Sequence, residues 1–133
     1  MYLFDTDTIT NVLKKRPSPK LIKNLRKIHP KEQFISTVTI SEIVYGAYKS
    51  QRPNFHIQNL ESILLPAVNI VGFDSKSAYI CGQMRALLEK KCISISWADL
   101  QISSIAIANE LTLITGNLKH FNRVPGLHFE NWL

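Results

Sequence analysis

The stretch FISTVTISEIVYGAYK, residues 34–49, predicts a short β-strand that passes directly into a helix. Phe34 to Val38 is rich in the aromatic and β-branched residues that strands prefer, and the helical pattern runs from Ile40 to Lys49. A strand joined to a helix by so few residues is the repeating unit of α/β folds.

The same alternation continues on both sides of this stretch. Further strands are predicted at residues 2–4, 69–73, 111–115 and 127–129. Further helices are predicted at residues 8–15, 19–28, 53–64, 76–90 and 97–109. Strands that alternate with helices through short connections indicate a mostly parallel sheet. No linker or internal repeat divides the chain, so we expect one domain over residues 1–133.

The composition is that of a globular domain with a localised basic excess. The chain has 133 residues, 45% of them hydrophobic, and a formal charge of +6, which excludes a disordered or low-complexity tail. Eight basic residues and no acidic ones lie between Lys14 and Lys31, so this segment carries the whole excess. Leu21, Ile22, Leu25 and Ile28 form an apolar stripe there. The basic side is either a solvated helix face or a surface that contacts phosphates.

The sequence also indicates the compartment. Asp5 and Asp7 stand where a signal peptide would need basic residues, and no apolar run approaches the length of a membrane span. The two cysteines, Cys81 and Cys92, form no disulfide framework and no metal motif. We therefore expect a cytoplasmic protein with no membrane association.

Three acidic residues fall where predicted strands end or predicted helices begin. Asp5 ends the first strand, Glu42 lies in the opening turn of the helix after the second strand, and Asp99 lies in the first turn of the helix at 97–109. In a parallel sheet all three emerge at the edge where ligands bind. Close carboxylates repel one another, and a hard divalent cation removes that conflict. Such a site can lower the pKa of a bound water and stabilise the charge that develops in phosphodiester cleavage.

Each acid also has a purely structural interpretation. Thr39 to Glu42 matches a capping box, in which Glu42 accepts a hydrogen bond from the Thr39 backbone amide. Ser96 to Asp99 has the related spacing, and acids are favoured in any first helical turn. Asp5 could close the turn into the first helix, and Asp7 could cap that helix. The convergence of three acids on one predicted edge favours the metal site.

The acids lie within longer motifs that follow one another in a fixed order. In chain order these are LFDTD at residues 3–7, VTISEIVYG at 38–46 with Lys49-Ser50 beyond, QMRALLEK at 83–90, ADLQIS at 98–103 and the tail from Phe121 to Trp132. With this set, the chain resembles the PIN-domain nucleases over its full length, and within them the VapC-type toxins of bacterial toxin–antitoxin pairs.

The resemblance implies a fold, an activity and partners. The fold is a parallel sheet of about five strands with helices on both faces. The activity is an Mg²⁺- or Mn²⁺-dependent endoribonuclease, with Asp5, Glu42 and Asp99 as the catalytic, metal-binding acids. The implied partners are an RNA substrate, a cognate antitoxin that holds the enzyme inactive, and a second copy of the chain in a homodimer.

One segment departs from the family pattern. After the fourth predicted strand the chain has TGNLKHF, residues 115–121, where the family usually supplies further acids. Asn117 keeps an oxygen without the charge, and His120 replaces an acid, which argues against a second metal. Asp7, commonly Asn in the family, would partly restore the charge if its side chain faces inward. We expect five residues to support the acids or to contact the substrate: Thr6, Asp7, Thr115, Asn117 and His120.

Two other functions are compatible with the sequence. A PIN-like domain without activity would bind RNA or a protein partner, and the altered segment around Asn117 and His120 favours that interpretation. A phospho-receiver domain would use Asp5 and Asp7 for its metal, Asp74 as phosphoacceptor and Lys119 as charge partner. This signalling function is the weaker of the two, because it leaves Glu42 and Asp99 without a role.

Overall fold

The computed structural model describes residues 1–133 as five parallel strands with helices between them. The strands are β1 (Tyr2–Phe4), β2 (Gln33–Ser36), β3 (Asn69–Val71), β4 (Thr112–Ile114) and β5 (Phe129–Glu130). The α-helices are α1 (Thr6–Asn11), α2 (Pro19–Leu25), α3 (Thr37–Lys49), α4 (Pro53–Asn59), α5 (Ser75–Lys90), α6 (Trp97–Ala108) and α7 (Leu118–Phe121). The predicted α/β fold is therefore confirmed, and every strand pairing is parallel.

The order of the strands places a crevice beside the central strand. The sheet runs β3-β2-β1-β4-β5, so the chain moves outward from β1 to β3 and then returns to the other side of β1. Leu3 is in register with Phe34 on one side and with Leu113 on the other. Ligands of open parallel sheets bind at the carboxyl ends of the strands where the order reverses. Here that point lies between the ends of β1 and β4.

Alternate residues of the central strands fill two cores, one on each face of the sheet. Leu3 and Leu113 pack with Ile102 and Ile105 of α6, whereas Phe4 and Ile114 pack with the helices of the opposite face. Period-two alternation of this kind means that both faces of the sheet are covered. The expected helices on both faces are therefore present. No helix combines the length and the apolar character needed to cross a bilayer.

Several predicted element boundaries differ from the observed ones, and three of the differences have a clear local reason. The strand at 34–38 ends at Ser36, because the Ser36 hydroxyl accepts a hydrogen bond from the Thr39 backbone and starts α3 at Thr37. The first helix starts at Thr6, where Asp5 caps it. The helix predicted over 53–64 is α-helical only to Asn59, and a π turn then leads into a 3₁₀ turn that contains Pro66. Proline has no backbone N–H to continue an α-helix.

The basic segment forms an amphipathic helix as predicted, but the helix ends at Leu25 rather than at Ile28. Ser18 caps α2 by accepting a hydrogen bond from the Leu21 backbone, and Pro19 occupies the first helical position. Leu21 is fully buried, while Lys20 and Lys23 are exposed. The charge of this segment is therefore presented to solvent.

Candidate metal-dependent nuclease site

Asp5 is the buried centre of the site. Its side chain lies at the end of β1 and is 4% exposed. Oδ1 accepts a hydrogen bond of 2.8 Å from the Thr6 backbone, and Oδ2 accepts one of 2.8 Å from the Thr115 hydroxyl at the end of β4. Burial raises the pKa of Asp5 to about 6, the charges of Asp7 and Asp99 add to the rise, and the two hydrogen bonds oppose it. A carboxylate in this position is stabilised by a cation.

Glu42 faces Asp5 through Thr6. The Thr6 hydroxyl donates a hydrogen bond of 2.7 Å to Glu42 Oε1, so Thr6 contacts one acid with its backbone and the other with its side chain. The capping-box interpretation of Glu42 is wrong, because Ser36 caps the helix. Glu42 therefore lies in the second turn of α3 rather than in its opening turn. Its carboxylate is exposed and is not occupied by backbone amides.

Asp99 pairs with His120. The Asp99 backbone N–H donates to the Ser96 hydroxyl at 3.1 Å, which is one half of the predicted capping arrangement. The carboxylate does not complete it, because Oδ2 lies 3.0 Å from His120 Nδ1. The Asp99 side chain is 17% exposed and the His120 side chain is 55% exposed. His120 therefore links α7 to the start of α6.

Asp7 points inward and does not cap the first helix. Its Oδ2 accepts a hydrogen bond of 3.0 Å from the Gly116 backbone, and its Oδ1 accepts one of 3.2 Å from Thr8. Asp5, not Asp7, caps this helix. Asp7 thus has the inward orientation in which it brings a further negative charge to the ends of β1 and β4. Asn117 is exposed, and its backbone N–H donates to the Thr115 hydroxyl at 3.0 Å.

The carboxylates are neighbours, but they do not form a closed ligand cluster. No three His, Cys, Asp or Glu side chains are arranged so that they could hold a metal ion together. Like charges repel, and each carboxylate turns to a different partner: Asp5 to Thr115, Glu42 to Thr6, and Asp99 to His120. The donor chemistry still fits a hard divalent cation, because the ligands on offer are carboxylate oxygens around one buried acid of raised pKa.

Asp74 has a structural role outside this site. Its carboxylate accepts a hydrogen bond of 2.9 Å from the Ser77 backbone and caps α5. That hydrogen bond lowers the pKa of Asp74 below its ordinary value. Because β3, which precedes this helix, is the strand at the edge of the sheet, Asp74 is not at the crevice beside β1. A phosphoacceptor role for Asp74 is therefore not supported.

Gly116 is a part of the site to which the sequence analysis gave no role. A Cβ atom added there would lie 2.7 Å from Asp7 Oδ2 and 2.9 Å from the Leu133 side chain. The close approach lets the Gly116 amide bind the Asp7 carboxylate. The sequence feature that could have pointed to this residue is its position directly after the predicted strand at 111–115, which ends in threonine.

We expect Gly116→Ala to destabilise the protein by about 1–2 kcal/mol, because the new methyl group displaces Asp7 from the amide. Chemical denaturation measures this change. Gly82→Ala is the matched control: nothing lies within 4 Å of its added Cβ on α5, and alanine favours a helix. Equal denaturation midpoints for Gly116→Ala and the parent would show that the contact with Asp7 does not constrain this turn.

Comparison with known proteins agrees with this geometry. The model of the PIN domain family matches residues 2–127. "Ribonuclease VapC2" of Rickettsia felis is 34% identical over 133 residues, which cover 99% of this chain and 98% of the relative. "tRNA(fMet)-specific endonuclease VapC" of Salmonella typhimurium is 29% identical over 131 residues, covering 98% and 97%.

A solved structure shows the same fold. The crystal structure of VapBC2 from Rickettsia felis, bound to a DNA fragment from their promoter, superposes with a TM-score of 0.89 at 34% identity. The match covers 99% of this chain and 98% of that chain. The resemblance drawn from the motifs is confirmed: this chain belongs to the PIN-domain family, in its VapC branch.

Proposed function

We propose that this chain is a divalent-metal-dependent endoribonuclease and the toxin of a toxin–antitoxin pair. The observation that carries the proposal is the buried Asp5 at the reversal point between β1 and β4, with Asp7 and Asp99 close enough to raise its pKa. Thr6 joins Asp5 to Glu42. The names of the relatives, which are ribonucleases and an endonuclease, support the same activity.

The metal, Mg²⁺ or Mn²⁺, would be held by Asp5, Glu42 and Asp99. Such an ion supplies a Lewis acid for the phosphate oxygens and lowers the pKa of water. Support comes from the oxygen donors and from the free oxygen of Glu42, since Thr6 contacts only Oε1. Asp5 is stabilised most by a bound cation, because burial disfavours its charged form.

The surrounding side chains have separate tasks in this proposal. Thr6 and Thr115 hold the two oxygens of Asp5 in place. Glu42 orients the water that attacks the phosphorus. Asp7 adds negative charge from the side of Gly116. His120 is held by Asp99 through Nδ1, so its other nitrogen, Nε2, is the one that can contact an RNA phosphate, and the exposed Asn117 is also open to RNA.

The proposed partners are a cognate antitoxin and a second copy of the chain. The superposed Rickettsia felis structure, which is of VapBC2 bound to promoter DNA, supports the first of these. Three tyrosines on α3 and α5 support the second, because Tyr45, Tyr48 and Tyr79 are 66%, 69% and 73% exposed. Large aromatic residues are enriched in protein interfaces. An RNA substrate and the two free cysteines are consistent with a cytoplasmic location.

Cleavage of RNA by the purified chain tests the proposal. We expect single-stranded RNA to be cut when Mg²⁺ or Mn²⁺ is present and to remain intact when EDTA removes the ion. Asp74→Asn is expected to cut at the parent rate, because asparagine caps a helix as well as aspartate does. RNA that is bound but never cut would favour the non-catalytic alternative. Loss of activity in Asp74→Asn alone would favour a role for that residue in catalysis.

The rate is expected to depend on pH through Asp5. Its pKa is raised to about 6, so the carboxylate needed for the cation is protonated as the pH falls through that value. At a fixed, limiting Mg²⁺ concentration, we expect the rate to fall by about tenfold for each pH unit below the midpoint. More Mg²⁺ should move the midpoint to lower pH, since the ion competes with the proton. A midpoint that does not respond to Mg²⁺ would contradict this assignment.

A further inference from the structure

A groove leads away from the candidate site between α1, α3 and α4. Its volume is about 430 Å³, and Thr6 and Glu42 line its inner end. This size is within the range of about 300–1,000 Å³ that small-molecule sites occupy. These two residues also belong to the candidate site. A ligand in the groove therefore lies directly beside the phosphodiester bond that the site would cleave.

The groove combines an apolar and aromatic lining with basic groups. Leu13, Ile43 and Phe55 supply the apolar surface, and Phe55 is 46% exposed. The Arg52 guanidinium lies 4.3 Å from the centre of the Phe55 ring, and the His56 ring lies 5.4 Å from it. Aromatic and guanidinium planes of this kind are surfaces on which nucleobases stack.

The charge at the groove favours a polyanion. Lys14 lines the groove and is the first of the eight basic residues between positions 14 and 31, and its neighbours Lys15 and Arg16 are exposed. Glu42 is the only acid in the lining. Lysine and arginine side chains contact phosphates of nucleic acids without regard to sequence. The phosphates of an RNA chain that extends from the candidate site can thus contact Lys14, Lys15 and Arg16.

We propose that this groove binds the base of an unpaired nucleotide that adjoins the cleaved phosphodiester, with the RNA backbone passing Lys14. This inference rests on the proposed ribonuclease function and adds the place where the base of a nucleotide beside the cleaved bond is held. Phe55 and Ile43 receive the base, and they determine how well a given nucleotide is held.

Gly46 supplies a way to close the groove without disturbing the fold. It lines the groove on α3, and an added Cβ atom would meet nothing within 4 Å. Gly46→Leu therefore fills the groove. Gly82→Leu on α5 is the matched control, because the Cβ at that helical glycine also meets nothing within 4 Å and Gly82 does not line the groove. Leucine favours a helix over glycine at both positions.

The test combines substitutions that fill the groove with substrates that lack a base, so that the two effects on KM can be compared. Its substrate is a single-stranded RNA oligonucleotide with a mapped cleavage position, compared with versions that lack the base on either side of that bond. For the parent and Gly82→Leu, removal of one base is expected to raise KM about tenfold with little change in kcat. For Gly46→Leu, we expect the KM for the intact oligonucleotide to be higher than that of the parent already. Removal of the base should then cause no further rise in KM. Phe55→Ala should behave as Gly46→Leu does.

The outcomes separate this inference from the proposed function. If the parent cuts no RNA, the function itself is wrong. If the parent cuts RNA and removal of either base costs Gly46→Leu as much as it costs the parent, the function stands and the groove does not bind the base. If Gly46→Leu leaves RNA cleavage unchanged but prevents inhibition by the antitoxin, the groove is a protein-docking site, and the proposal is overturned.

Discussion

Replacing Asp5 by asparagine is expected to stop RNA cleavage and, at the same time, to make the metal-free protein more stable at neutral pH. Activity should fall by about 1,000-fold or more, because the central carboxylate of the site loses its charge. Asparagine retains an oxygen for the Thr6 amide, so the start of α1 is preserved.

The sign of the stability change follows from the raised pKa. Asp5 has a folded-state pKa of about 6 against an ordinary value of 3.8, so its favourable contribution to folding is complete below the ordinary value and is lost as the pH rises through 6. Since each pKa unit corresponds to about 1.4 kcal/mol, the buried charge costs on the order of 3 kcal/mol at neutral pH. Asparagine removes this cost but presents an NH₂ group to the Thr115 hydroxyl. We therefore expect a net gain of about 1–2 kcal/mol.

Urea denaturation in EDTA measures the change at two pH values. Asp5→Asn should be more stable than the parent near neutral pH. Below the ordinary pKa of the carboxyl it should be slightly less stable than the parent, because only the mismatch with the Thr115 hydroxyl then remains. Asp74→Asn is the control, because the pKa of Asp74 is lowered rather than raised and no gain is expected there. A less stable Asp5→Asn that still cuts RNA would show that Asp5 is only a helix cap.

Glu42→Gln is expected to lower the cleavage rate by about 100-fold or more without changing stability. The side chain is exposed and caps no helix, so the glutamine variant keeps the fold. Its amide oxygen can still accept from Thr6, so the change removes charge and the ability to accept a proton from water, but not the local geometry.

Two further variants make the Glu42 result specific. Glu61→Gln changes an exposed acid on the π turn after α4 and should leave the rate unchanged. Thr6→Val removes the donor to Glu42 and should lower the rate about tenfold, while Thr6→Ser retains it. Full activity in Glu42→Gln, together with a loss in Glu61→Gln, would be the opposite of what the site predicts.

The positions of the acids could be predicted because they follow from strand ends. Asp5 comes directly after three apolar residues, and parallel strands bring their carboxyl ends to one edge. Asp99 sits in the first turn of a nearly continuous apolar helix, which the pattern also shows. The direction of each side chain could not be predicted in the same way. An N-cap at Ser36 rather than at Thr39 decides whether the Glu42 side chain contacts its own backbone or Thr6.

The contacts between distant residues could not be predicted. The Asp7 carboxylate binds the amide of Gly116, which lies 109 residues away in sequence, and no local pattern encodes that pairing. The pairing of His120 with Asp99 depends on how the short helix α7 lies against α6. Short connecting turns of this kind are placed by packing rather than by propensity. Sequence reasoning therefore identified the charged groups but not the partners that hold them.

A calorimetric titration of Mn²⁺ into the metal-free parent and into Asp5→Asn, Glu42→Gln and Asp99→Asn shows whether these three carboxylates share a cation. We expect the parent to bind the ion and each of the three changes to weaken binding by about tenfold or more, while Asp74→Asn binds as the parent does. Equal affinity in the parent and all three variants would mean that these carboxylates do not share a cation, and the proposed chemistry would be wrong.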